Sequence, residues 1–99
     1  MRRICWATLD KRRPVLVLTR DLTVGRMSTV MVAPITSTIH GTATEVRVGT
    51  ANGLLRASAI KCDQVASMRY TQLHEQCGWL LEDQEPALHD AIQAAFDLV

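Results

Sequence analysis

Short apolar runs, each stopped by a polar or glycine-containing break, fill the first two-thirds of the chain, and this punctuation restricts the fold more than any other feature. ICWATL (Ile4 to Leu9) and VLVLT (Val15 to Thr19) are separated only by DKRRP, a connection short enough to predict an antiparallel hairpin. DLTVGRMS reads as a loop with Gly25 as its flexible point. TVMVAPIT (Thr29 to Thr36) is almost continuously apolar, as expected of a strand covered on both faces. Its Pro34 has no amide proton to give to a ladder, which predicts an edge or a bulge. STIHGTA is a polar loop, and TEVRV (Thr44 to Val48) alternates as a half-exposed strand does. GTANG is a turn cluster in which Asn52-Gly53 is the strongest signal, and LLRASAIKC and QVASM continue the strand pattern.

The pattern then changes. YTQLHEQ is short and polar, which predicts one or two helical turns, and CGWLL predicts a last strand. From Asp83 the apolar positions Ala87, Leu88, Ala91, Ile92, Ala95, Phe96 and Val99 recur every three to four residues, the stripe of an amphipathic helix. Asp83 is placed to cap it, and Pro86 is tolerated in a first turn. Six or seven short strands and one terminal helix predict a mainly β (α+β) fold: a small, strongly curved sheet or partly closed barrel with a C-terminal α-helix.

The 99 residues suit one domain, residues 1–99, able to bury roughly 60–70% of its unfolded surface. Hydrophobic residues at 47% against 21% charged exclude a disordered chain. The net charge of +1 means that any anion binding must come from local clustering. Three widely spaced cysteines without a C-x-x-C pair predict free thiols in a reducing compartment, not a zinc site or a disulfide framework. MRRICWATLD has no apolar core of a signal peptide, and no run approaches the ~18 residues of a membrane span. The expected location is the cytoplasm, with no membrane contact.

The densest charge is Lys11-Arg12-Arg13, set directly against Pro14 and the apolar run behind it. Proline confines the residue before it to extended backbone, so Arg13 projects from a stiff base. Read by spacing alone, Arg13 is either a solvated turn cation or a fixed guanidinium.

Three pieces in order carry a resemblance: Arg13-Pro14 opening a strand, Pro34-Ile35-Thr36-Ser37 closing one, and Gly53-Leu54 leading to Cys62-Asp63-Gln64-Val65. Together they make the chain resemble the MazF/PemK family of toxin endoribonucleases over nearly its whole length. One departure is clear: the longer connection that many relatives carry before Arg-Pro is cut here to DKRRP. The resemblance implies an SH3-like barrel and a two-fold homodimer. It also implies metal-independent cleavage of single-stranded RNA, with no cofactor, and neutralisation by a cognate antitoxin whose acidic, partly disordered segment fills the RNA groove. It assigns Arg13 and Thr36 as the catalytic pair.

A guanidinium matches two phosphate oxygens and stays charged at any working pH, and a positioned hydroxyl adds a second donor to the same oxygens. Lys11 and Arg12 are candidate phosphate contacts, Ser37 a candidate beside Thr36, and His40 a candidate RNA contact whose imidazole could also serve as a general acid or base. Arg20, Arg26 and Arg47 are weaker candidates, and His74 and His89 are expected to be solvated in helical, polar surroundings. Trp6 and Trp79 are expected to be packing residues, and Phe96 to belong to the helix stripe. No metal site is expected. Two other classes compete: a non-catalytic toxin that binds DNA gyrase, as CcdB proteins do, and a barrel that binds RNA or a partner without turnover.

Overall fold

The computed structural model describes residues 1–19 and 28–97. Arg20, Gly25, Arg26 and Val99 lie outside the described residues. Strands β1 (Arg3–Thr8), β2 (Arg12–Val17), β3 (Thr29–Thr36), β4 (Glu45–Val48), β5 (Ser58–Lys61), β6 (Ala66–Arg69) and β7 (Leu73–Trp79) precede one helix, α1 (Glu85–Phe96). The strands form an antiparallel sheet of seven in the order β4-β5-β3-β2-β1-β7, with β6 also paired to β3.

Strand β3 is the hub because it serves three partners. One edge meets β2 through Val15↔Pro34, Leu16↔Ala33 and Val17↔Val32. The other meets β6 over residues 29–32 and then β5 at Ile35 and Thr36. Pro34 is therefore in a central strand, not at an edge. Antiparallel residues bond alternately to one side and the other. Met31 O accepts from Leu18 N–H toward β2, and Ser28 O accepts from Tyr70 N–H toward β6. That alternation aims position 34 at the interval where β6 has ended and β5 has not begun. A residue without an amide proton fits there at no cost.

Neighbouring residues of β1, β2 and β3 face two different cores. Ile4, Leu16, Ala33 and Ile35 join Val46, Val48, Ile60, Leu80, Leu88 and Ala91 beneath the helix. Cys5, Ala7, Val15, Val17, Val30 and Val32 join Met68 on the opposite face. Burial on both faces explains why these strands read as apolar runs without alternation.

Besides Pro34, other expectations need correction. Strand β2 starts at Arg12, three residues before Val15, because the hairpin pairs Thr8↔Arg12 and Ala7↔Arg13. Hydrophobicity did not mark that start; the hairpin's backbone ladder sets it. Second, YTQLHEQ is a 3₁₀ turn, Tyr70–Gln72, followed by the first part of β7. Strand β7 is the outermost in its sheet and pairs only with β1 among the described strands, so its polar residues face solvent and leave no apolar period to read. His74 accordingly sits on a strand, its ring within 2.7 Å of Thr8 Oγ1. Third, Asp83 does not cap the helix. It lies in a 3₁₀ turn, Glu82–Gln84, and Gln84 occupies the N-cap position. Pro86 does fall in the first turn.

One lock sets the path of the chain into the site described below. Asn52 is buried, and its Nδ2 donates to Trp79 O at 2.9 Å and Gln84 Oε1 at 2.6 Å. Its Oδ1 accepts from Gly49 N–H at 3.0 Å. The next residue, Gly53, has φ of 85°, and a Cβ there would stand 2.0 Å from Cys77 O. The reciprocal contact is at Gly78, where a Cβ would stand 1.7 Å from Asn52 O. Two backbones thus meet through glycines, and Gly53 to Ser58 is pinned to β7. Gly78→Ala, which forces those backbones apart, is expected to cost about 3 kcal/mol; a fall in the urea midpoint at unchanged slope measures it.

Candidate active site

Past Val15↔Pro34 the β2–β3 ladder stops. In β2 the odd-numbered residues bond toward β1, since Leu9 N–H donates to Lys11 O and the register sets Ala7 against Arg13. Position 14 is therefore aimed at β3, and Pro14 has nothing to donate. The strands part at this point. Continuing the same register by two residues sets Arg13 opposite Thr36, on either side of the opening.

The opening is a groove of about 480 Å³. Lys11, Arg12, Arg13 and Pro14 form one wall, Ile35, Thr36 and Ser37 the floor, and Gly53 to Arg56 with Ser58 the other wall, with Trp6 and Cys77 completing it. The structure thus gathers Lys11, Arg12, Arg13, Thr36 and Ser37. It does not bring His40 among them: that residue is exposed, and its backbone N–H donates to Glu45. Arg47 is on β4, away from the groove lining. Sequence reasoning missed Arg56, Leu55 and Trp6. Only the loop assignment of LLRAS would have revealed the first two, since as strand residues they lose their place on a rim.

Arg13 is a quarter exposed. Its Nη2 lies 3.3 Å from Asp10 Oδ1, while its Nε is buried with no hydrogen-bond partner. Asp10 itself is three-quarters exposed, so this ion pair is screened and weak, and an incoming anion can replace it. Thr36 Oγ1 accepts from Thr38 N–H at 3.1 Å, which orients the hydroxyl and leaves its proton to donate. Arg12 is differently held. Its guanidinium lies 5.2 Å from the centre of the Trp6 ring and pairs with Glu75. The Glu75 carboxyl is kept below its usual range by its own backbone amide first and by Arg12 after it.

No lining residue carries a carboxylate, whereas four carry a cation. Cys77 offers no thiolate at neutral pH, because burial raises its pKa. Cys5, Cys62 and Cys77 form no disulfide. Among the described residues, no three His, Cys, Asp or Glu side chains are grouped to hold a metal ion. The groove is built for a polyanion.

Residues 3–96 match the family described as PemK-like, MazF-like toxin of type II toxin–antitoxin system. The chain belongs to that family. A similar protein of this toxin family is the endoribonuclease MazF3 of Mycobacterium tuberculosis, 50% identical over 98 residues, 99% of this chain and 95% of that one. Among solved structures, the Mycobacterium tuberculosis toxin MazF-mt6 is 48% identical with a TM-score of 0.96, covering 98% of both chains. A MazE-MazF crystal structure from Deinococcus radiodurans shares the fold, with a TM-score of 0.82 at 20% identity over 98% of this chain and 93% of that one. The toxin has the MazF fold, an open antiparallel sheet of seven strands with one helix behind it, and the expectation of a mainly β domain with a C-terminal helix holds.

Behind the floor of the groove, Glu45 anchors the segment that leaves Thr36. Its carboxylate accepts from Gly41 N–H at 2.7 Å, His40 N–H at 3.1 Å and Lys61 Nζ at 3.0 Å. Burial alone would raise its pKa, but Lys61 and the two amides outweigh this and hold it at about 2, down from 4.5. The stability Glu45 supplies is therefore complete above about pH 4.5 and is lost as pH falls toward about 2. Glu45→Gln should cost about 3 kcal/mol at pH 7 by leaving the largely buried Lys61 ammonium unpaired. Urea titrations at several pH values should show that the variant lacks this share of the acid-dependent loss.

Proposed function

We propose that this toxin is an endoribonuclease in which Arg13 and Thr36 bind and stabilise the scissile phosphate of single-stranded RNA. The observation that carries the reading is a groove whose lining holds four cations and no carboxylate, with Arg13 and Thr36 both at the opening left where the β2–β3 ladder stops. The name of the MazF3 relative, an endoribonuclease at 50% identity, supports the same activity here.

The nucleophile is the substrate's own 2′-hydroxyl. It gives its proton to solvent water and bonds to the adjacent phosphorus. The bond from phosphorus to the 5′-oxygen breaks, and that oxygen takes a proton from solvent. The products are a 2′,3′-cyclic phosphate and a 5′-hydroxyl. Between them lies a phosphorane with additional negative charge on its non-bridging oxygens. Arg13 exchanges Asp10 for those oxygens, and Thr36 donates its free proton to one of them. Both donors are in place beforehand, which is how fixed dipoles lower a barrier. No step draws on a metal or cofactor.

Lys11, Arg12 and Ser37 hold flanking phosphates, and His40 contributes only from outside the groove. The same cationic lining suits an acidic, partly disordered antitoxin segment, and the structure of an endoribonuclease with its cognate antitoxin from a mycobacterial species shows the same fold in such a complex. The toxin works as a homodimer, one domain of residues 1–99 per subunit, in the cytoplasm. No helix among the described residues is long and apolar enough to cross a membrane.

Arg13→Ala should lower cleavage of single-stranded RNA about 10²–10³-fold while leaving the fold intact. Arg13→Lys should restore little, because an ammonium cannot present the planar fork. Thr36→Val should fall about 10-fold or more. Cleavage in EDTA, with mass spectrometry of the fragment ends, checks all three. Wild-type rates in Arg13→Ala would refute the assignment, and folded protein with no turnover in wild type would favour the binding-only or gyrase-directed alternatives.

A further inference from the structure

The groove wall facing Arg13 ends in a two-residue rim that the catalytic chemistry does not use. Leu55 is 85% exposed, the highest value among the exposed large apolar side chains of the described residues. Arg56 follows it, exposed, and both line the groove. Apolar side chains are stable in water only at a cost, so a fully presented leucine on a polyanion groove calls for a reason.

The rim is not a loose tip. Leu54 is buried in the main core, and Gly53 is locked against Cys77 and Gly78 on one side. On the other, Ser58 Oγ donates to Arg56 O at 3.0 Å, just before β5 begins. The backbone on both flanks is thus fixed while the two side chains project.

The charge pattern of the groove adds a second argument. Arg12 pairs with Glu75 and Arg13 with Asp10, whereas no carboxylate among the described residues pairs with Arg56. Its position follows from the sheet. Strand β3 carries Thr36 between β2 and β5, and Thr36 pairs with Ala59. Arg13 and Arg56 therefore line the groove from opposite walls, with Thr36 on the floor between them. A strand of RNA with its scissile phosphate at Arg13 and Thr36 has flanking phosphates to offer the opposite wall.

We infer that Leu55 and Arg56 determine where the toxin cuts: Arg56 binds a phosphate flanking the scissile one, and Leu55 packs against the base of the adjoining nucleotide. This rests on the reading of Arg13 and Thr36 as the catalytic pair. The phosphate contact fixes the register of the strand, and the apolar contact reads the base that this register delivers.

The test compares wild type, Arg56→Gln, Leu55→Ser and Arg13→Ala on one long single-stranded RNA. Cut sites are mapped by sequencing 5′ ends, rates are measured against salt, and subunit mass is measured by sedimentation. Arg56→Gln should raise KM about tenfold, with a smaller loss in kcat, and reduce the slope of log kcat/KM against log salt by about 1. Leu55→Ser should keep that slope and change the base preferred at one position beside the cut. Binding of a single-stranded oligodeoxynucleotide, which lacks the nucleophilic hydroxyl, should weaken in Arg56→Gln as well. Unchanged KM, salt slope and cut sites in both variants would overturn the inference. So would a shift to lighter species in sedimentation, since the rim would then be a contact between subunits. Full activity in Arg13→Ala would instead remove the catalytic assignment, leaving the oligodeoxynucleotide result to judge the rim alone.

Discussion

A missing hydrogen-bond donor shapes this molecule. Pro14 occupies the position in β2 whose amide would bond to β3, and the ladder between the two strands stops beside it. Up to that level the strands are sealed and their side chains fill two cores. Beyond it they diverge, and the space between becomes the groove. The same residue restricts the backbone of Arg13 to extended conformations. One imino acid thus both opens the cleft and stiffens the cation at its mouth. Pro34 performs the matching task on β3, filling the interval in which the strand exchanges β6 for β5.

The rear of the groove depends on backbone contact at close range. Asn52, Gly53 and Gly78 bring a turn and a strand together with no side chain between them, and the Asn52 amide also ties in Trp79 and the Gln84 residue that begins the helix. Glu45 does comparable work beneath Thr36, drawing together Lys61 and the amides of the departing loop. These polar knots lie at the points where strand ends must be held in register, and the apolar cores could not specify them alone.

Much of this was legible before the structure. The hairpin, the long central strand over Thr29 to Thr36 and the terminal helix follow from apolar period and turn chemistry. Arg13 and Thr36 stood out through the ordered motif, and both line the groove. What escaped has physical causes. Strand β7 lies at the edge and carries polar residues outward, so it has no period to detect. Residues 54–57 have the composition of a strand, but the Gly53 lock holds them out of the sheet as a rim. Trp6 looked like a packing residue because one tryptophan among apolar neighbours usually is; its exposure at the groove depends on the ladder ending beside it. His40 is near Thr36 in sequence, yet the loop carries it toward Glu45.

The groove's walls belong to strands and a pinned turn, all tied into one hydrogen-bonded sheet. Its width is consequently a property of the scaffold and changes little on contact with a substrate. The conformational entropy of docking then falls on the polynucleotide, which must adopt the bend and spacing that the cations dictate. A flexible single strand can do so at modest cost. On the proposed reading a stiff duplex pays more than a single strand to follow the same wall, a difference in deformation energy that precedes any base contact.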